Sequence, residues 1–279
     1  MDPDRARNLL ASRFGGPART GYQAVTWGQR KLIATYDRAR VRREPPAERA
    51  ATAERVTIAA KTFQRPAVAR RFVRSARATF DGRIVIADDS RRPMVHRDPR
   101  VQVLALPFNS GVSKGRNAAL DAVGSEFVLV TDDDIVFTKA SDVTAARRYL
   151  EDNPDVDIVG FTLVELPRWY VVDTGPDALF PGAEKPVRTF GELIGGLPVR
   201  YKIAQVYLAR TASIRMVRWN DELRMVDHRD FFSRASGTLV TVVDQGNFVY
   251  HARTPFDVEY TAFRADTAAD LAWLSRHWR

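Results

Sequence analysis

The sequence predicts an α/β fold with a mostly parallel central sheet. Three observations lead there. Short β-rich runs alternate with helical stretches four times within about a hundred residues, which is the pattern of βαβ units. Polar clusters follow those runs, where parallel sheets bind their ligands. The 279 residues are 45% hydrophobic and 10% aromatic, enough for a real core.

Each element follows in order. Val56-Thr57-Ile58-Ala59-Ala60 reads as the first strand. A helix starts at Pro66, with Val68, Phe72, Ala76 and Phe80 as its apolar stripe and Arg70, Arg71, Arg74 and Arg77 away from it. Ile84 to Ala87 is a second strand ending in Asp88-Asp89-Ser90, and Val101 to Leu106 a third. Ser113 is the expected cap of a helix through Leu120. Phe127 to Val130 is the fourth strand and runs into Asp132-Asp133-Asp134. Ser141 is the expected cap of a helix through Leu150, stopped near Pro154. Residues 165–200 are rich in Pro and Gly and read as irregular. Thr238 to Val243 and Phe248 to Tyr250 read as further strands, and Trp273 and Trp278 fall on a last helical stretch.

The N-terminal 54 residues differ, with many arginines and few aliphatics. Trp27, Leu32, Ile33 and Tyr36 recur at helical spacing, and Arg38 to Pro46 is a basic stretch closed by prolines. The expected organisation is a helical extension and linker over 1–54, then one domain over 55–279. That domain divides into a nucleotide-binding half over about 55–137, an acceptor half over about 138–253 and a C-terminal helix over about 254–279. The extension is expected to dock on the core.

Composition narrows the chemistry. There are no cysteines, so disulfides, thiolate metal sites and cysteine nucleophiles are excluded. The start Met1 to Arg5 is polar, and no apolar run approaches the ~18 residues of a membrane span. The expectation is a cytoplasmic protein, with possible peripheral contact between its basic N-terminus and an anionic membrane. The net charge of +9 favours anionic partners. The arginines are dispersed and accompany no zinc-finger or RNA-recognition motif, so nucleic acid is not expected among them.

The sharpest motif is Asp132-Asp133-Asp134. Adjacent carboxylates repel by about 1 kcal/mol at ~4 Å in water and by several times that when partly buried. After an apolar strand they suit a hard divalent cation, Mg²⁺ or Mn²⁺. Asp88 and Asp89 are placed to accept hydrogen bonds from a base or a ribose. Asn109 to Asn117 opens a helix and carries Lys114 and Arg116, which suits an anion. Asp227, His228 and Asp230 are candidates for a general base. His251, after an apolar run, is a candidate metal ligand.

Together and in order these segments resemble the family 2 glycosyltransferases. The closest likeness is to the catalytic domain of the β-1,4-N-acetylgalactosaminyltransferases. The segments are Val56 to Phe63, Val85 to Ser90, Gly115-Arg116-Asn117 with Ala119-Leu120, Val130 to Thr138, Leu208 to Thr211, and His228 to Phe232, spanning roughly 55–252. The resemblance implies a GT-A fold, a Rossmann-like α/β/α sandwich, and an inverting, metal-dependent transfer from a UDP-sugar to an acceptor hydroxyl. It implies that Thr62, Arg65, Asp88 and Asp89 hold the nucleoside, with Arg116 and Asn117 near the donor. It implies that Asp132 and Asp134 hold the sugar nucleotide and its Mn²⁺ or Mg²⁺, and that His251 completes the metal shell; Asp133 lies between them with its role open. The Asp227-His228-Arg229-Asp230 stretch departs from the Glu-Asp pair of many family 2 enzymes, and Asp230 is favoured over Asp227 as base. Two alternatives stand beside this: a haloacid-dehalogenase-like phosphatase using Asp132 and Asp134, and a non-catalytic nucleotide-sugar-binding scaffold. The sugar, the acceptor (glycan, lipid-linked or small molecule) and the oligomeric state are not given by the residues.

Overall fold

Strand β1 (Val56–Thr62) is the strand from which the sheet grows in both directions. The computed structural model describes residues 16–41, 44–254 and 257–278. Met1 to Arg5, read above as a polar start, and Arg42-Arg43 of the basic stretch lie outside the described residues. The helices are α1 (Gly16–Ala39), α2 (Pro46–Arg55), α3 (Pro66–Ala76), α4 (Val112–Asp121), α5 (Val143–Asp152), α6 (Thr211–Val217), α7 (His228–Ala235), α8 (Val258–Ala265) and α9 (Ala268–His277). The other strands are β2 (Arg83–Asp88), β3 (Val101–Ala105), β4 (Phe127–Asp132), β5 (Ile135–Val136), β6 (Ile158–Glu165), β7 (Tyr170–Val172), β8 (Leu193–Ile194), β9 (Leu197–Pro198), β10 (Tyr207–Arg210) and β11 (Thr241–His251).

The main sheet has the order β3-β2-β1-β4-β10-β6-β11-β5, with β7 added beside β6. β1 pairs parallel with β2 and β4, and β2 with β3. β10 runs antiparallel to both β4 and β6, so β6 is parallel to β4, and β11 is parallel to β6. The carboxyl ends of β1, β2, β4, β6 and β11 therefore share one edge. The chain moves outward from β1 to β3 and returns to place β4 on the other side of β1. That reversal opens a crevice between β1 and β4, the position where open α/β sheets bind ligands.

Side-chain alternation fills both faces. Val56, Ile58 and Ala60 of β1 join Ile84, Ile86, Phe127 and Leu129 in one cluster, with Phe72 of α3 and Leu150 of α5. Ala59, Val85, Val128 and Val130 point to the other face, against Leu120 of α4, Ile214 of α6 and Phe231 and Phe232 of α7. This is the helix–sheet–helix sandwich of the GT-A class. The α3 stripe is Ala69, Phe72, Val73 and Ala76, with Val68 only partly covered, because the i, i+3, i+4, i+7 set faces the sheet more squarely than a strict four-residue step.

Several local expectations shift by a residue or merge. α4 starts at Val112 behind Gly111 at φ 99°, so Ser113 lies inside the helix. Asp142 rather than Ser141 caps α5, accepting from Ala145 N at 2.8 Å. Ser141 instead donates to Phe248 O at 2.6 Å. The two late strands are one, β11, with a register shift between Asp244 and Phe248. Within 165–200, short β7, β8 and β9 form.

The N-terminal helices pack on the domain. Ile33 of α1 buries against Leu166 and Ala252, and Gln29 Nε2 donates to Pro167 O at 2.9 Å. Trp27, Leu32 and Tyr36, which share its helical spacing, are exposed instead. No helix among the described residues is long and apolar enough to cross a membrane. Thr52 of α2 donates to Thr144 Oγ1 at 3.0 Å, and Arg147 pairs with Glu48. α2 also closes over the turn before β2: a Cβ on Gly82 would lie 2.5 Å from Ala53 O and 2.4 Å from Phe80 Cζ. Gly82→Ala is therefore expected to cost about 1–3 kcal/mol, as over-packing does, read as a lower urea midpoint with an unchanged slope.

Candidate active site

The site is assembled from strand ends. β1 delivers Lys61 and Thr62, and the chain then turns through Gln64 at φ 56° to Arg65. Arg65 caps α3, its carbonyl accepting from Val68 N and Ala69 N, and Pro66 supplies the pre-set first helical position. Its side chain points back across the sheet edge. β4 is the register neighbour of β1, with Asp132 beside Lys61, and it ends in the aspartate triplet before β5 folds over to pair with β11. β6 and β11 end side by side in Glu165 and His251.

Buried cations hold the triplet together. Arg65 pairs with Asp133 and, at 3.2 Å, with Asp134. Thr62 Oγ1 donates to Asp133 Oδ2 at 2.6 Å. Arg116 of α4 pairs with Asp132 at 2.7 Å and also with Asp227. His251 Nε2 lies 3.0 Å from Asp134 Oδ1, and its Nδ1 lies 2.9 Å from Glu165 Oε1. Tyr260 of α8 covers Arg65, with the guanidinium carbon 3.6 Å from the ring centroid. The walls enclose a cleft of about 730 Å³.

Burial and charge set the protonation states. Burial alone would lower His251, but the Asp134 carboxylate, with Glu165 behind it, raises it to about 10. Burial would raise Asp134, yet His251 and Arg65 hold it well below the usual carboxylate range. Asp133 is pushed up to about 6 by burial and by Asp134, against Arg65. Burial raises Asp227 despite Arg116. His228 is lowered to about 3, first by burial and then by Lys202 and Arg116, so its imidazole is neutral at neutral pH.

The structure brings some of the expected residues together and not others. Arg65, Arg116, Asp132, Asp133, Asp134, Asp227, His228 and His251 all line the cleft. Asp230, the favoured base, does not: it is fully buried, accepting from Trp278 Nε1 at 2.8 Å and Arg234 Nε at 2.8 Å. Asp227 precedes α7 as its N-cap, whereas Asp230 lies inside the helix and is taken up by Trp278 and Arg234. Asp88 accepts from the backbone N–H groups of Ser90 and Met94, holding its own loop. Asp89 pairs with Lys61 at 2.7 Å and accepts from Gly111 N at 3.0 Å. Asn117 is spent on Trp219 and Asp221, Thr62 on Asp133, and Lys114 points to solvent. Lys61, within the first quoted segment, also lines the cleft, as do Glu165, Lys202, Tyr260 and Arg264, which no sequence motif announces.

Parts of this chain are similar to known proteins. Residues 57–172 match the family model described as "Glycosyl transferase family 2". Among individual proteins, β-1,4 N-acetylgalactosaminyltransferase 1 of Mus musculus is 32% identical over 241 residues, covering 80% of this chain and 45% of that protein. The Homo sapiens protein of the same name is 34% identical with the same coverage. The chain thus spans about half the length of these relatives. The solved structure of S. aureus TarS 1–349 superposes with a TM-score of 0.52 at 18% identity, over 71% of this chain and 60% of that one. That likeness is one of fold.

The buried neutral His228 carries a pH signature. An unfolded histidine titrates near 6.5. Above that both states are neutral; as pH falls from 6.5 to about 3, the unfolded chain gains a proton the folded one refuses, and stability is lost. Urea midpoints of His228→Gln, followed from pH 7 to pH 4, are expected to decline less steeply than those of the unsubstituted protein.

Proposed function

We propose that the protein is an inverting, metal-dependent transferase that moves a sugar from a UDP-sugar to an acceptor hydroxyl. The observation that carries this reading is the cleft at the shared strand edge, where Arg65 and Arg116 flank three consecutive aspartates with His251 beside Asp134. Cations and carboxylates alternating in one crevice suit a diphosphate together with a divalent ion. S. aureus TarS, similar in fold, has been solved with UDP and with UDP-GlcNAc, which supports a nucleotide-sugar donor. The names of the relatives favour an N-acetylhexosamine as the sugar. The family match and the position of the triplet after the fourth strand favour this over phosphatase chemistry.

The residues present fit a cation in part. Asp134 and His251 converge, while Asp132 is turned to Arg116, and no set of three such groups among the described residues is already gathered. Asp134 and His251 would hold the ion once His251 gives up the proton it shares with Asp134, with oxygens of the diphosphate as further ligands, as is usual for Mg²⁺ and Mn²⁺. When bound, the ion offsets the charge that develops on the departing diphosphate. Lys61, Arg65 and Arg116 bind and orient the donor. Asp227 takes the proton of the acceptor hydroxyl, which attacks the anomeric carbon from the side opposite the diphosphate. Asp227, the N-cap of α7, is on the cleft wall, and its burial makes it a stronger base than a solvated aspartate.

Thermal unfolding checks the donor and metal. UDP with Mn²⁺ is expected to stabilise the protein more than either alone, by about 2.7 kcal/mol at 100 times Kd. Asp134→Ala should erase the Mn²⁺-dependent part, and equal shifts with and without Mn²⁺ in the unsubstituted protein would exclude a metal site. Asp227→Asn and Asp230→Asn separate the two carboxylates. Asp227→Asn should lower sugar transfer by about 10²- to 10⁴-fold with UDP binding kept. Asp230→Asn should instead cost about 1–3 kcal/mol of stability through Arg234 and Trp278; the reverse pattern would return the base to Asp230.

A further inference from the structure

We propose that Glu165 is a positioning residue that aims the His251 imidazole at the cation site. Glu165 ends β6, and His251 ends β11 as its parallel register partner, so the two side chains leave adjacent strands on the same face. Glu165 is buried, with 3% of its surface exposed. A buried carboxylate needs partners, and this one has two: His251 Nδ1 at 2.9 Å and Arg253 Nη2 at 2.6 Å.

The contact to Nδ1 fixes the ring. With one nitrogen held by Glu165, the other faces the cleft, 3.0 Å from Asp134 Oδ1. The opposite side of the arrangement is fixed by the backbone. β5 pairs with β11 at Ile135 and His251, and Ala252 N donates to Asp134 O at 3.0 Å. Glu165, His251 and Asp134 therefore form a line of three groups whose spacing is set by three strands rather than by side-chain freedom. Arg253 alone would neutralise Glu165, and its side chain is more than half exposed. A merely structural ion pair would not require the imidazole between Glu165 and the cleft. A carboxylate behind a ligating histidine fixes the ring and raises its basicity as a ligand, and its loss typically costs 10- to 100-fold in metal affinity.

This assignment rests on the metal reading above, and one experiment separates the two. Binding of Mn²⁺ is followed by the loss of its free-ion EPR signal, on the whole chain at saturating UDP. Glu165→Ala is expected to raise the Mn²⁺ Kd by about 10- to 100-fold, with UDP binding in the absence of metal unchanged. Glu165→Gln should raise it less, because the amide oxygen still accepts from Nδ1–H; it also carries the test if the alanine variant does not fold. His251→Ala should lose at least as much as Glu165→Ala, and the double variant no more than His251→Ala. A Kd within twofold of the unsubstituted protein for Glu165→Ala, or an additive loss in the double variant, overturns the role of Glu165 alone. No Mn²⁺ uptake by the unsubstituted protein overturns the metal reading and this assignment with it.

Discussion

Everything at the site depends on keeping three consecutive carboxylates, Asp133 and Asp134 of them buried, at the end of β4. Two unit charges ~4 Å apart interact by about 4 kcal/mol at an effective dielectric of 20, so an uncompensated triplet would not stay ionised there. Arg65 and Arg116 provide the compensation from opposite sides, one from the start of α3 and one from within α4. Both guanidiniums are themselves buried, and removing either would strand charge in the interior. The arginines and aspartates are thus mutually required. Asp227 belongs to the same network through Arg116, which ties the start of α7 to the end of β4.

The sheet makes that network possible. Because β10 runs against its two neighbours, the strands on either side of it remain parallel to each other, and their carboxyl ends meet at one edge. Residues as distant in sequence as Lys61, Asp132, Glu165 and His251 become neighbours by strand order alone. α8 then lies over the edge through Tyr260 on Arg65 and the Phe63, Phe108 and Phe263 rings. Gly115 has a related role within α4: a Cβ there would approach Lys61 Cγ to 2.5 Å, so the missing side chain leaves room for the Lys61–Asp89 pair.

The acidic positions divide by what they are bonded to. Asp88 and Asp89 stand at a strand end as motif reasoning expects, yet their oxygens are occupied by the protein's own N–H groups and by Lys61. They shape the loops that form the crevice. Asp230 likewise anchors the C-terminal Trp278, whose ring stacks on Phe180, and so holds α7 to residues of the irregular region. The same residue type therefore serves as cleft wall or as internal brace according to the direction in which the local backbone turns it.

The sequence by itself determined the α/β class, the four leading strands, the clefted edge and its most charged occupants. Those features are local: period-two and period-3.6 hydrophobicity and runs of like charge are written in neighbouring residues. Arg65, the triplet and His251 were legible because each sits at an element boundary that the pattern marks, and Arg116 because it lies in the segment that opens a helix. Only the tertiary structure decided that Asp227 rather than Asp230 faces the cleft, since Asp227 precedes α7 as its N-cap while Asp230 lies inside the helix, packed against Trp278 and Arg234. It also decided that Glu165 backs His251, a contact made by strands 86 residues apart in sequence and set by their register. Register and helix phase are properties of packed elements, so no local motif records them.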